Sequence, residues 1–152
     1  MSMKSDVVIL IADDDAGHVR LIEKNLRRAA LGNRIERFND GQQVLDFLFR
    51  RGDRKCERET PYLLLDIRMP KLDDVEVRRQ LWEDPELRKL PVLMLTTTDD
   101  PREVVRCHAL GCSYYVVKPV DYGQFADAIC KIANFITLIR VPELNPLTEL
   151  TR

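Results

Sequence analysis

A chain of 152 residues with 45% hydrophobic and 32% charged side chains has the composition of one globular domain, long enough to bury a real core. Its formal net charge of -1 creates no field that would draw nucleic acid or an anionic membrane, so neither is expected as a partner. The cysteines, Cys56, Cys107, Cys112 and Cys130, form no CxxC pair and no disulfide framework, and are expected as free thiols of a reducing cytosol.

The opening MSMKSDVVILIADDD has too short an apolar run for a signal-peptide core or a membrane span, so a cytoplasmic location is expected. Within it, Val7–Ala12 reads as a first strand that ends on Asp13-Asp14-Asp15. Asp15 can cap a helix whose Val19, Ile22, Leu26 and Ala29 share one face. Arg34–Phe38 alternates, as an edge strand does. Asp40 with Gln43 has capping-box spacing and opens a second helix. The mixed-sign stretch from Arg50 to Glu59 reads as a solvated loop. Tyr62–Leu65 is the third strand, and Asp66 stands where it runs out. A third helix starts at Asp73 with Glu76.

Val92–Leu95 is the fourth strand, followed by Thr96. Asp100-Pro101-Arg102-Glu103 then offers a capping aspartate, proline at the first helical position and glutamate at the third. Tyr114–Val117 is the fifth strand and runs into Lys118-Pro119. Asp121 with Gln124 opens the last helix, whose Phe125, Ile129, Ile132, Ile136 and Ile139 form its core face. Gly32, Gly52 and Gly111 stand where helices would stop. His18 and His108 lack partners at ligand spacing and read as surface or packing residues.

Five strands, each followed by a helix, predict a parallel α/β sheet with right-handed crossovers. Ligands of such sheets bind beyond the carboxyl ends of the strands. Asp13, Asp14, Asp66, Thr96 and Lys118 all fall on that edge. Close carboxylates repel by about 4 kcal/mol per pair at an effective dielectric near 20, a cost that a divalent cation removes. Oxygen donors of this kind suit Mg²⁺ (or Mn²⁺), which keeps waters and a phosphate oxygen beside one or two carboxylates. Acids, cation, lysine and hydroxyl together describe a site for moving a phosphoryl group, with an aspartate able to serve as nucleophile.

The segments ILIADDD, LLLDIRMPKLDD, VLMLTTTDD and YYVVKP, in this order, resemble the receiver domain of two-component response regulators, from about Val7 to Ile139. The resemblance implies a flavodoxin-like (βα)5 doubly wound fold with strand order 2-1-3-4-5. It also implies that Asp66 is the phosphoacceptor, that Asp14 and Asp66 bind the metal with the Arg68 backbone carbonyl, and that Asp13 does so through water. Thr96 matches the switch hydroxyl, Thr97 and Lys118 bind the phosphoryl group, Tyr115 matches the aromatic switch, and Pro119 follows the lysine. The family usually has glycine where this chain has Asp74. In place of an enzyme acting on other molecules, the resemblance implies a phosphoacceptor signalling protein served by a sensor histidine kinase.

A rival reading takes Asp13 and Asp15 as the DxD of a haloacid-dehalogenase-like phosphatase. It leaves Asp66 unemployed and lacks the further acidic pair such enzymes need after the lysine. The residues after Lys118 are too few for a DNA-binding output domain, so signalling by protein contact is expected. The receiver is expected over 1–140, with an extended arm or tail over 141–152 because Pro142 and Pro146 stop helix there. The apolar end FITLIRVPELNPL suggests a homodimer through the last helix and arm. The charged loop before the third strand, with TTTDD, is similar to regulators that serve phytochrome-type kinases.

Overall fold

Four apolar runs and one alternating segment become five parallel strands: β1 Val8–Ala12, β2 Ile35–Phe38, β3 Thr60–Asp66, β4 Val92–Thr96 and β5 Tyr114–Val117. Between and after them lie α1 Ala16–Arg28, α2 Gly41–Leu48, α3 Asp74–Glu83, α4 Pro101–Ala109 and α5 Tyr122–Ile136, with a 3₁₀ turn at Leu87–Lys89. The strand order is β2-β1-β3-β4-β5, the doubly wound, flavodoxin-like arrangement. This computed structural model describes residues 7–57, 59–66, 74–96, 101–109, 113–117, 121–139 and 141–144, with backbone alone at 74, 75, 96, 103, 104, 106, 107, 115 and 122.

The continuous apolar runs of β1, β3 and β4 are explained by burial on both sides of the sheet, while β5, at the sheet edge, leaves Tyr114 and Val117 exposed. Alternate residues of a strand point to opposite faces. Val8, Leu10, Tyr62, Leu64 and Val92 pack with Val44, Leu45 and Leu48 of α2 and Val77 and Leu81 of α3. Ile9, Ile11, Leu63, Leu65, Leu93 and Leu95 pack with Val19, Ile22 and Leu26 of α1 and Phe125, Ile129, Ile132 and Ile136 of α5. The sheet therefore separates two cores, and a residue's parity decides which one it enters.

Helix starts follow the capping chemistry. The carboxylates of Asp15, Asp40 and Asp121 accept from the backbone N–H of His18 at 3.1 Å, Gln43 at 2.9 Å and Gln124 at 2.9 Å, each worth about 1 kcal/mol. Asp73 and Asp100 lie outside the described residues, while Pro101 is the first residue of α4. Asp74 opens α3, where helical dihedrals suit any L-residue, so no glycine is needed.

Helix stops depart from expectation. Instead of Gly32 and Gly52, Ala30 (φ 66) and Arg50 (φ 59) take the left-handed position directly after the C-caps of α1 and α2; Gly111 lies outside the described residues. The closure needs a left-handed residue at a fixed distance from the last turn, and both glycines come two residues late. The backbone cost, about 1–2 kcal/mol per residue, is offset by the closing bonds Leu31 N to Leu26 O at 3.1 Å and Arg51 N to Asp46 O at 2.7 Å.

The charged loop after α2 is solvent-facing but tethered. Arg54 lies 4.2 Å above the Phe38 ring and donates to Glu36 Oε1 at 2.7 Å and the Arg37 carbonyl at 2.8 Å. Arg50 donates to the Cys56 carbonyl, and Cys56 is buried.

Beyond α5, the first residues of the expected arm fold onto their own domain. Val141 and Leu144 are buried, and β6 (Glu143–Leu144) pairs antiparallel with Thr60 and Pro61. Residues 145–152 lie outside the described residues. Among the described residues, no helix is long and apolar enough to cross a membrane.

Candidate functional site

Register fixes the floor of the site. Ala12 pairs with Asp66, Asp66 with Met94, and Met94 with Tyr115, so these four form one row across the sheet. Asp13 and Asp14 follow Ala12 at the carboxyl edge. Thr96 is the last residue of β4, paired with Val117, the last of β5. The backbone thus brings Asp13, Asp66 and Thr96 to a single edge. Tyr115 lies within β5, two rows below Val117. Arg68, Thr97, Lys118 and Pro119 lie outside the described residues.

Pleat parity then sends the two buried acids to opposite sides. Asp13, in phase with Ile9 and Ile11, faces the core of α1 and α5. Its Oδ1 accepts from the Asp15 backbone N–H at 2.9 Å, and its Oδ2 pairs with His18 Nδ1. The His18 ring stacks on Phe125, with centroids 5.3 Å apart. Asp66, in phase with Leu64, faces α2 and α3. There Arg78 Nη2 donates to Asp66 Oδ2 and also lies 3.3 Å from Met94 Sδ, a weak acceptor. The residues Asp66 and Arg78 are only 1% and 2% exposed, which makes this a fully buried ion pair.

Burial pushes the Asp66 carboxyl above the ordinary carboxylate range, and the charge and hydrogen bond of Arg78 pull it back only in part. Asp66 Oδ1 is buried with no hydrogen-bond partner among the described residues. Asp14 is exposed. Asp15 caps α1, which gives its carboxylate a structural task in place of acid–base work.

A divalent cation fits this donor chemistry: carboxylate oxygens are hard ligands, and Asp66 Oδ1 is an orphaned acceptor of the kind a cation satisfies. Among the described residues, no three His, Cys, Asp or Glu side chains are grouped to hold a metal. The buried acids instead turn to nitrogen partners, one on each side of the sheet.

Sequence reasoning missed both partners. Arg78 stands beside Val77 and three residues before Leu81, on the buried side of α3, a signal hidden by the Arg78-Arg79 doublet. His18 is five residues from Asp13 and reads in the sequence as a surface or packing residue; its stacking on Phe125 agrees with packing, while its contact with Asp13 does not follow from spacing.

The family model described as response regulator receiver domain matches residues 9–130. A receiver domain from Rhodospirillum rubrum, known as a crystal structure, is 41% identical with a TM-score of 0.82, covering 91% of this chain and 99% of that one. The bacteriophytochrome response regulator RtBRR is 34% identical with a TM-score of 0.69, over 87% of this chain and 78% of that one. Response regulator Rcp1 from Synechocystis is 28% identical over 128 residues, 84% of this chain and 87% of the relative. Fold, strand-end acids and family match agree, and the phosphatase reading is set aside: the chain belongs to the response regulator receiver domain family, a family of signalling proteins.

Proposed function

We propose that Asp66 accepts a phosphoryl group from the phosphohistidine of a sensor histidine kinase, and that the phosphorylated domain signals by changing shape and contacts. The observation that carries this reading is the placement of Asp66: a buried carboxylate at the carboxyl end of the central strand β3, in register with the end of β1. In the transfer, an Asp66 carboxylate oxygen attacks phosphorus, the P–N bond to the kinase imidazole breaks, the bonding pair leaves with the ring, and the domain carries an aspartyl phosphate. Hydrolysis by water later returns the carboxylate and inorganic phosphate.

Asp14, Asp66 and the Arg68 carbonyl, with Asp13 through water, would hold Mg²⁺ (or Mn²⁺), which would neutralise charge developing on the phosphoryl group. Lys118 and Thr97 bind the phosphoryl oxygens through charge-assisted bonds. Thr96 does so as the switch hydroxyl, and its inward movement makes room for the Tyr115 ring. His18 holds the Asp13 carboxylate, which keeps that acid oriented. The likeness to the bacteriophytochrome response regulator RtBRR supports a phytochrome-type kinase as the donor, and a domain of this kind works in the cytoplasm.

A homodimer is supported by exposed apolar side chains near the end of α5. Leu138 is 74% exposed, while Tyr114 and Val117 on the β5 edge are also solvent-facing. Val141 and Leu144 are used within the domain, so an arm that reaches a partner starts after Leu144. A chain ending at Leu144 should be monomeric by light scattering; an unchanged dimer would exclude the arm.

Incubation with a phosphorylated kinase or acetyl phosphate should label the chain at one site, with the alkali-lability of an acyl phosphate. Asp66→Asn should abolish the label. Undiminished labelling of that variant would overturn the assignment.

A further inference from the structure

We propose that Arg78 is a resident counter-ion of Asp66 that competes with the divalent cation for the same carboxylate, setting a built-in threshold for metal binding. This inference rests on the proposed metal role of Asp66. It concerns a residue on α3 that none of the proposed phosphoryl- or metal-binding roles uses.

The geometry supplies the competition. Phosphoryl transfer at Asp66 makes two demands on one carboxylate: one oxygen bonds to phosphorus and the other is a cation ligand. Arg78 Nη2 already holds Oδ2, so a third claimant sits on a two-oxygen group. A guanidinium stays protonated at any relevant pH, unlike a lysine, and cannot yield by losing its charge. Nor is escape into water at hand. Arg78 is almost fully buried, and its helix is anchored on either side by Val77 and Leu81, both in the core with Leu87, Leu90 and Val92.

Pleat parity makes the contact hard to avoid. Asp66 shares its face with Leu64, and Met94 shares it with Val92, so the carboxylate and the thioether both point to the layer that contains α3. Arg78 reaches both. A cation bound at Asp66 would share a poorly screened environment with a fixed like charge, and burial weakens the screening that surface charges enjoy. Metal binding must therefore loosen or share the Arg78 contact. Asp13, just beyond the end of β1, turns instead to the helical layer on the far side of the sheet, where His18 holds it.

The test is equilibrium Mn²⁺ binding, read by electron paramagnetic resonance from the loss of free-ion signal, on the full chain without any phosphodonor. Asp66→Asn establishes the site: it should weaken Mn²⁺ binding at least 10-fold, and an unchanged affinity would overturn the metal role of Asp66 itself. Given that result, Arg78→Met should tighten Mn²⁺ binding at least 10-fold, because the carboxylate is released from its counter-ion. Arg78→Lys, which keeps the charge and guards against a variant that fails to fold, should stay within about threefold of the parent protein. Circular dichroism checks that each variant is folded. An Arg78→Met protein with unchanged or weaker Mn²⁺ affinity would overturn the proposal and assign Arg78 to packing or to positioning of Asp66. Tightening by Arg78→Met and Arg78→Lys alike would also overturn it, since charge would then not be the cause.

Discussion

Arg78 on α3 and Asp66 at the end of β3 form a buried ion pair in which Nη2 donates to Oδ2 and Met94 Sδ lines the other side. Removing one partner of such a pair leaves a charge in the core, a change that typically costs about 3–5 kcal/mol. Asp66→Ala, which leaves the buried Arg78 without its acceptor, should therefore unfold at lower denaturant, by roughly 3 kcal/mol, whereas Asp66→Asn keeps a neutral carbonyl acceptor and should lose less. Adding Arg78→Met should recover part of the loss, with a coupling of about 2 kcal/mol in a double-mutant cycle. Strict additivity of the two single changes would show that the pair carries no net interaction.

Burial raises the Asp66 pKa in the fold above the ordinary value of 3.8. A carboxyl whose folded pKa is raised binds its proton more tightly when native, so it contributes stability at low pH that is lost as pH rises from 3.8 through the folded value. The stability of the parent protein minus that of Asp66→Asn should fall with rising pH across that window. Parallel pH profiles from urea titrations would contradict the raised value.

Lys118→Ala should leave Asp66 phosphorylatable at a reduced rate while abolishing the conformational response. Loss of the side-chain cation removes a charge-assisted bond to the phosphoryl group, worth roughly 1.5–3 kcal/mol. Hydrogen exchange of the fourth and fifth β/α units, before and after acetyl phosphate, reads the response. A phosphorylation-dependent change as large as in the parent chain would remove Lys118 from the switch.

The tether of the charged loop predicts a local effect. Arg54→Ala loses the stacking on Phe38 and the bonds to Glu36 and Arg37. Both ion-pair partners are partly exposed, so the global loss should be small, about 1 kcal/mol. Protease cleavage between Arg50 and Glu57 should nevertheless speed up clearly. Unaltered cleavage would mean that the loop is held by Cys56 and Arg50 alone.

Leu144→Ala should destabilise the domain by about 2–4 kcal/mol, because Leu144 is buried in the core beneath β3. An effect below 0.5 kcal/mol in thermal or urea unfolding would show that β6 detaches in solution.

Strand positions, the helix caps at Asp15, Asp40 and Asp121 and the edge on which the acids gather are legible in the sequence, because each depends on residues a few positions apart. Apolar runs of four to six residues specify strands, and an aspartate three residues before the amide it accepts from specifies a cap. Asp66 stands out for the same local reason: a leucine run ends on a carboxylate. Local pattern also misled where alternatives were equally local, as at Gly32 and Gly52, whose helical closures fall to Ala30 and Arg50.

Only the tertiary structure decided what the buried acids touch. Asp13 meets His18 and Asp66 meets Arg78 because strand pleat turns adjacent sheet-edge residues toward opposite helical layers, and the identity of the facing residue depends on how each helix is rotated and seated. The same holds for the tail, where Leu144 reaches β3 across a long stretch of chain. Contacts between distant segments are set by packing and by the hydrogen-bond register of the sheet, which no spacing within one segment encodes.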